Sequence, residues 1–287
     1  MVGSPLLVPR DDGRSLAVDD DGDPRGAPVL YLHGTPDSRL SRHPSPVPGV
    51  RLLAVDRPGI GRSTSHPGRT LGSVADDLVA VLDARDVERA AVLAWSAGAP
   101  FGVALAARHP ERVTTVGLVA PLVPITAYAD AAVRTAAGPG RALFAEMAGE
   151  MAPDDVAAEV APYLLPDPAT PELVAEQMTA EADAARPREV AGLPGHLEAA
   201  TIEAVALGRD GLHQEVATQA AVPDVDLAAA AGHRVVVWSG AVDEVSPPAF
   251  GRWWADLLGG DHVVVPDAGH ALALPRWTEI LRTITTP

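Results

Sequence analysis

The stretch Ala90–Ala107 reads AAVLAWSAGAPFGVALAA and decides the fold. The apolar run Ala91–Ala94 stops at a Trp-Ser-Ala-Gly tetrapeptide, and the apolar residues of 101–107 then follow with helical rather than alternating spacing. This pattern predicts a strand, a sharp turn and a helix, with Ser96 at the apex. Small residues, including Gly98, flank the serine, as a turn requires when strand and helix pass close together. A serine here also suits a plain helix N-cap, so its chemistry depends on the rest of the chain.

The size and apolar content of the chain indicate a globular protein. Its 287 residues, 47% of them hydrophobic, can build one substantial core with an inserted lobe, or two modest domains. No apolar run approaches the roughly 20 residues that a membrane helix needs. The N-terminus has no basic start followed by a long apolar core, so we expect no secretory signal and a cytoplasmic location.

Residue usage and charge narrow the chemistry. The chain has no cysteine, which excludes disulfides, thiolate metal sites and a cysteine nucleophile, and no lysine, which excludes Schiff-base mechanisms. A net charge of -16 opposes binding to nucleic acid or to an anionic membrane. We therefore expect a small-molecule substrate, and a local pocket can differ in charge from the whole surface. Nothing in the sequence indicates an oligomeric state.

The N-terminal third predicts strands separated by turns. Two apolar segments, 6–8 and 15–18, flank a turn and predict an antiparallel hairpin. The acidic run Asp19–Asp23 lacks the spacing of a calcium loop and is predicted to be a solvated turn. Buried strands are predicted at Pro28–Leu32 and Arg51–Val55.

Loops with distinctive sequences follow both buried strands. After the first comes His33-Gly-Thr-Pro-Asp, where we expect a cis bond between Thr35 and Pro36 and a bracing role for the ring of His33. After the second comes DRPGIGRS, in which Asp56 and Arg57 are predicted to hold the loop through hydrogen bonds and ion pairs.

Helices dominate the middle of the chain. Thr70 is predicted to cap an amphipathic helix, and a strand is predicted at Val113–Val119. From Pro121 to about Thr218 no convincing strand is found, and helices are predicted near 127–137, 140–151, 153–163, 171–185 and 196–207. The α/β pattern then resumes with strands at 234–238 and 261–266 and helices at 247–258 and 272–283.

Residues of the types that a serine nucleophile needs follow three of the predicted strands. A serine hydroxyl requires a base within hydrogen-bond reach and a group that orients the base. Ser96, Asp243 and His270 each follow a predicted strand, in that chain order. Glu244 is an alternative acid beside Asp243, and Asp267 is predicted to turn the loop before His270.

Taken together, these loops resemble those of the α/β-hydrolase fold family. The A-x-S-x-G turn resembles its nucleophile elbow, with Ala94 in place of the usual first glycine, and the acid loop G-x-x-D-x-x-S-P has Ser246 where valine is usual. The resemblance implies an α/β fold with a mostly parallel twisted sheet, helices on both faces and an inserted all-helical cap. The expected division is residues 1–120 and 219–287 for the core and 121–218 for the cap.

The resemblance also implies roles for the site residues. Ser96, His270 and Asp243 would form the catalytic triad, and the N–H groups of Thr35 and Ala97 would form the oxyanion hole. Trp95, beside the nucleophile, is expected to contact substrate. No histidines lie at metal-ligand spacing, and we expect neither a metal nor a cofactor.

These roles predict hydrolysis of a carboxylic ester of a small or medium, largely apolar substrate through an acyl-enzyme. The same triad could instead serve C–C bond hydrolysis, lactone opening, perhydrolysis or a lyase or cyclase step. A ligand-binding protein without catalysis is a further alternative, although such proteins normally lose part of the triad. Haloalkane dehalogenases and epoxide hydrolases of this fold carry an aspartate at the elbow, so Ser96 sets them aside.

Overall fold

A computed structural model describes residues 4–180 and 195–286. Within these residues, eight strands form one sheet in the order β1-β2-β4-β3-β5-β6-β7-β8. The strands are β1 (Leu6–Pro9), β2 (Ser15–Gly22), β3 (Ala27–Leu32), β4 (Val50–Val55), β5 (Ala90–Trp95), β6 (Val113–Val119), β7 (Arg234–Gly240) and β8 (Asp261–Val265). The pairs β1·β2 and β2·β4 are antiparallel, and all other neighbours are parallel. This confirms the predicted α/β architecture and brings the carboxyl ends of the parallel strands to one edge.

The helices lie between and after the strands. They are α1 (Leu71–Ala84), α2 (Ala99–Arg108), α3 (Ala131–Ala136), α4 (Pro139–Glu150), α5 (Pro153–Val160), α6 (Pro171–Ala180), α7 (His196–Glu203), α8 (Asp210–Ala220), α9 (Pro248–Leu258) and α10 (Trp277–Thr285). Helices α3 to α8 form a helical insertion between β6 and β7. No helix in this described part is long and apolar enough to cross a membrane.

Helices cover both faces of the sheet, as the side chains of β5 illustrate. Successive side chains of a strand point to opposite faces. Val92 accordingly packs in the apolar layer under α1, α2 and α9, whereas Leu93 packs in the layer under α10, with Trp277 and Ile280. The side chains of β5 are buried along its whole length, as expected for a central parallel strand.

Several predicted element boundaries are wrong. The helix predicted at 127–137 is a 3₁₀ turn, Ile125–Ala129, followed by α3, and the last helix begins at Trp277 rather than at residue 272. The predicted helix 171–185 is seen as far as Ala180, and its remainder lies outside the described residues. Helix α8 is missing from the prediction altogether.

The acidic run near the N-terminus was predicted wrongly as a solvated turn. Asp19, Asp20 and Asp21 belong to β2 and pair with β4. Asp19 is buried and lies 3.0 Å from Arg39, and Asp20 lies 2.7 Å from Arg51. Arginines distant in sequence neutralise these carboxylates, so the strand can continue through them.

Candidate active site

Ser96 stands on a strained turn between β5 and α2. Its φ is 54°, a left-handed conformation that is uncommon for a residue other than glycine. The turn is crowded, because a Cβ atom on Gly98 would lie 2.6 Å from the carbonyl oxygen of Leu32. Ala94 is accommodated because Gly102 faces it from α2, where an added Cβ would lie 3.0 Å from that of Ala94. The space usually left by the first glycine of the elbow is thus provided partly by the helix.

The structure brings Ser96, His270 and Asp243 into one hydrogen-bonded chain. The Oγ of Ser96 lies 2.9 Å from Nε2 of His270, and Nδ1 of His270 lies 2.9 Å from Oδ2 of Asp243. All three residues are buried, with 3%, 7% and 3% of their surfaces exposed. In the neutral imidazole, Nδ1–H donates to the carboxylate, which leaves Nε2 free to accept the serine proton.

The loop after β7 holds Asp243 from its other oxygen. Oδ1 accepts hydrogen bonds from the backbone N–H groups of Val245, at 2.9 Å, and Ser246, at 2.8 Å. The hydroxyl of Ser246 donates to the carbonyl of Pro121 at 2.6 Å. Ser246, which stands where valine is usual, therefore has a structural role through this hydrogen bond. Glu244 is exposed, so the geometry favours Asp243 as the acid.

The loop after β3 lies against the nucleophile. The bond between Thr35 and Pro36 is cis, as predicted. A Cβ on Gly34 would lie 3.2 Å from the Cβ of Ser96, so the backbone of this loop passes beside the reacting hydroxyl. Thr35 and Ser96 line the same cleft.

Comparison with known proteins identifies the family of the chain. Residues 27–276 match the alpha/beta hydrolase fold family. The chain belongs to that family. It is 32% identical over 110 residues to the uncharacterized hydrolase YcgS of Bacillus subtilis, a match that covers 37% of this chain and 38% of that protein. The matches span little more than a third of the length of the first curated relatives.

Solved structures of the α/β-hydrolase fold match almost the whole chain. A thermophilic esterase from Thermogutta terrifontis has a TM-score of 0.69 at 23% identity and covers 99% of this chain and 100% of its own. An esterase from Rhodococcus sp. ECU1013 has a TM-score of 0.67 at 21% identity and covers 99% of this chain and 98% of its own. At these identities the likeness concerns the fold.

Within this α/β-hydrolase site, His33 braces the loop after β3, as predicted. Its Nδ1 lies 2.7 Å from the carbonyl of Gly34, and its Nε2 lies 3.2 Å from the backbone N–H of Arg57. A carbonyl only accepts and an N–H only donates, so the ring is neutral with its proton on Nδ1. Burial, together with the charge of Arg57, lowers the pKa of His33 well below its usual range, which keeps the ring in that form.

A buried ionic group, which we call the Glu215 cluster (Glu215, Arg57 and Arg69), ties this loop to the helical insertion. The carboxylate of Glu215, on α8, accepts from Nε of Arg57 at 2.9 Å and from the hydroxyl of Thr35 at 3.0 Å, and it pairs with Arg69. Arg57 also donates to the carbonyls of His33 and Gly34. Although burial opposes ionisation, the two arginines lower the pKa of Glu215 to about 2. The sequence assigned a loop-holding role to Arg57 but gave no signal for Glu215.

Arg39 forms a second link between core and insertion. It pairs with Asp56 at 2.6 Å, with Asp19 at 3.0 Å and with Glu203, on α7, at 2.9 Å. Asp56 also accepts from the backbone N–H of Arg62 at 3.0 Å, so its predicted role in holding the loop is seen.

Trp95 lies behind the histidine of the triad. Its side chain is buried, and the indole N–H donates to the carbonyl of His270 at 3.0 Å. Trp95 also lines the cleft, as a substrate-contacting residue must. The sequence did not indicate the contact with the carbonyl of His270, and contact between Trp95 and substrate stays a prediction.

The cleft encloses about 630 Å³, including the part open to solvent. Its core side is formed by the triad serine and histidine, Trp95 and the loop after β3. Its insertion side is largely apolar and is formed by Leu164, Leu165, Val174, Leu197 and Thr201. In the described residues, no group of three or more His, Asp or Glu side chains is arranged to hold a metal ion.

Proposed function

We propose that the protein is a serine hydrolase that cleaves carboxylic esters, or related acyl bonds, of small to medium, largely apolar substrates. The observation that carries this proposal is the unbroken hydrogen-bonded chain from Ser96 through His270 to Asp243, with 2.9 Å at each step. A hydroxyl, a base and an orienting carboxylate in this order match the requirements of nucleophilic acyl transfer.

The first half of the reaction makes the acyl-enzyme. Nε2 of His270 takes the proton of Ser96 while its oxygen attacks the acyl carbon of the ester. The carbonyl oxygen becomes an oxyanion, which the N–H groups of Thr35 and Ala97 would hold, at a typical contribution of about 3 kcal/mol per donor. His270 then gives the proton to the departing alkoxide, and the acyl group remains on Ser96.

The second half regenerates the enzyme. A water molecule takes the place of the alcohol, and His270 accepts one of its protons as it attacks the acyl carbon. Throughout, Asp243 holds the imidazole in the required tautomer and stabilises its charged form. Its own two backbone donors keep the carboxylate in place.

We further propose that residues 121–218 act as a cap that selects the substrate. Support comes from the apolar side chains of this segment, such as Leu164, Leu165 and Val174, which complete the cleft above Ser96. An apolar wall of this kind favours an apolar acyl or alcohol group by burying it. Trp95 would contact the substrate from the core side.

The test is turnover of short p-nitrophenyl esters by the wild type, Ser96→Ala and the matched control Ser45→Ala, which removes an exposed hydroxyl. We expect rapid hydrolysis with a burst of p-nitrophenol in the wild type and the control. In Ser96→Ala, both the burst and the turnover should disappear while the circular dichroism spectrum is unchanged. Full turnover by Ser96→Ala would refute the proposal.

A further inference from the structure

A second cavity borders the turn at Ala97, the residue after Ser96. It encloses about 470 Å³, including the part open to solvent. Ala97, Phe101 and Leu122 form its floor, and Phe144 lies in its wall. Polar side chains also line this space: Tyr128 and Arg141, together with Thr218 and Gln219. A polar group is thus placed in a mostly apolar recess next to the residue that follows the nucleophile.

Arg141, on α4, is partly buried and has no hydrogen-bond or ion-pair partner among the described residues. The contrast with the other shielded arginines is sharp, since Arg57 and Arg69 share Glu215 and Arg39 has three carboxylates. A partly shielded cation without a counter-ion is attracted to an anion more strongly than a fully solvated one is. Such a side chain is well suited to receive its anion from a ligand.

The cavity that holds Arg141 borders the turn of Ser96, because Ala97 lines it and the backbone N–H of Leu122, another lining residue, donates to the carbonyl of Ser96 at 3.0 Å. Burial lowers the pKa of Arg141, and the carboxylate of Asp243 acts in the opposite direction. An anion held at Arg141 would therefore lie close to an ester bound at Ser96.

The surroundings favour a carboxylate over a more highly charged anion. The planar guanidinium matches the two oxygens of a carboxylate. The hydroxyl of Tyr128, which has no hydrogen-bond partner among the described residues, can add a third hydrogen bond. Among the described residues that line the cavity, Arg141 is the one with a charged side chain, so one positive charge is available for one negative charge. The apolar floor suits the carbon chain that would carry the carboxylate.

We propose that Arg141 and Tyr128 form a carboxylate-binding subsite, and that the preferred substrates are esters with a free carboxylate on an otherwise apolar skeleton. This inference deepens the proposed function, and the kinetic test described below rests on that function. It also accounts for how a protein with a net charge of -16 would accept an anionic substrate, through one local cation.

A binding measurement tests the subsite without any turnover. Glutarate, the diacid released from a glutarate half-ester, is titrated calorimetrically into Ser96→Ala and into the double variant Ser96→Ala/Arg141→Gln. The matched control is Ser96→Ala/Arg252→Gln, which loses the same charge from an exposed position. We expect glutarate to bind at least tenfold more weakly when Arg141 is replaced, and equally well in the control.

A kinetic measurement tests the substrate class in the wild type, so it does not depend on how a variant folds. The value of kcat/KM for mono-p-nitrophenyl glutarate is compared with that for p-nitrophenyl pentanoate. On the alcohol side, 3-acetoxybenzoate is compared with 3-acetoxytoluene. We expect the charged ester to be preferred at least tenfold in one of the two pairs, and Arg141→Gln to remove that preference.

The outcomes separate this inference from the proposed function. Turnover of neutral esters with no charge preference and no Arg141-dependent glutarate binding would overturn the subsite and leave the hydrolase standing. Arg141-dependent binding without any ester turnover would support the subsite and count against the hydrolase. Inorganic phosphate binding to Ser96→Ala as tightly as glutarate would overturn the assignment to carboxylates.

Discussion

Replacing Glu215 by glutamine should destabilise the protein strongly, because it removes the one negative charge of the Glu215 cluster. Both Arg57 and Arg69 are fully buried and pair with this carboxylate. The glutamine side chain has nearly the same shape, so the change is one of charge rather than of volume. Two buried guanidinium groups would then lack their counter-ion. Such a loss typically lowers the free energy of unfolding by about 3–5 kcal/mol.

The pKa of Glu215 gives an independent magnitude. It is about 2 in the folded protein, against 4.5 for a free glutamate. At about 1.36 kcal/mol for each pH unit, this difference corresponds to about 3 kcal/mol of stability at pH 7. Because the folded pKa is the lower one, this stabilisation is present in full above about pH 4.5 and is lost as the pH falls towards 2. Near pH 3, about 1 kcal/mol should remain.

The assay is urea unfolding followed by tryptophan fluorescence, at pH 7 and at steps down to pH 3. Glu215→Gln should have a free energy of unfolding about 3 kcal/mol below that of the wild type at pH 7, with a gap that narrows as the pH falls. The matched control is Glu159→Gln, an exposed glutamate on α5, which should change little. A variant within about 0.5 kcal/mol of the wild type at pH 7, or a gap that stays constant down to pH 3, would refute the reasoning.

Three further substitutions test other contacts of the site. Gly102→Ala should lower the free energy of unfolding, measured in urea, by about 1–3 kcal/mol, because the new Cβ would lie 3.0 Å from that of Ala94. An unchanged free energy of unfolding would show that the packing at the elbow can accommodate the added methyl group. Ser246→Val should lower the free energy of unfolding by about 1–3 kcal/mol in the same assay, because the carbonyl of Pro121 loses its hydrogen-bond donor. A variant more stable than the wild type would contradict this expectation. In an ester assay, Trp95→Phe should reduce kcat about tenfold with less effect on KM, because the carbonyl of His270 loses the hydrogen bond from the indole N–H. A change confined to KM would instead indicate that Trp95 only contacts the substrate.

The residues around Ser96 could be predicted from the sequence because their constraints are local. A tight turn with φ of 54° needs small neighbours, and the strand, turn and helix that create it are adjacent in the chain. The resemblance to the α/β-hydrolase fold family then identifies Asp243 and His270, whose chain order after Ser96 is typical of that family. Parallel strands align their carboxyl ends, so loops that follow three of these strands reach one edge of the sheet. Their meeting at 2.9 Å is the geometric outcome of that alignment.

The ionic contacts between core and insertion could not be predicted, because they join residues far apart in sequence. Glu215 lies 158 residues from Arg57, and its helix α8 has too polar a sequence for its buried face to be recognised from periodicity. Asp19 was placed in a solvated turn for the same reason, since the arginine that neutralises it is 20 residues away. Arg141 likewise has no sequence motif, and only its cavity indicates a role.

The most direct test of the account is mass spectrometry of the intact and digested protein after incubation with a fluorophosphonate probe. The account predicts one adduct per chain, located on Ser96, and no adduct in Ser96→Ala or after the triad is disabled by His270→Ala. A folded wild-type protein that stays unlabelled, or an adduct on another residue, would contradict the central claim that Ser96 is an activated nucleophile.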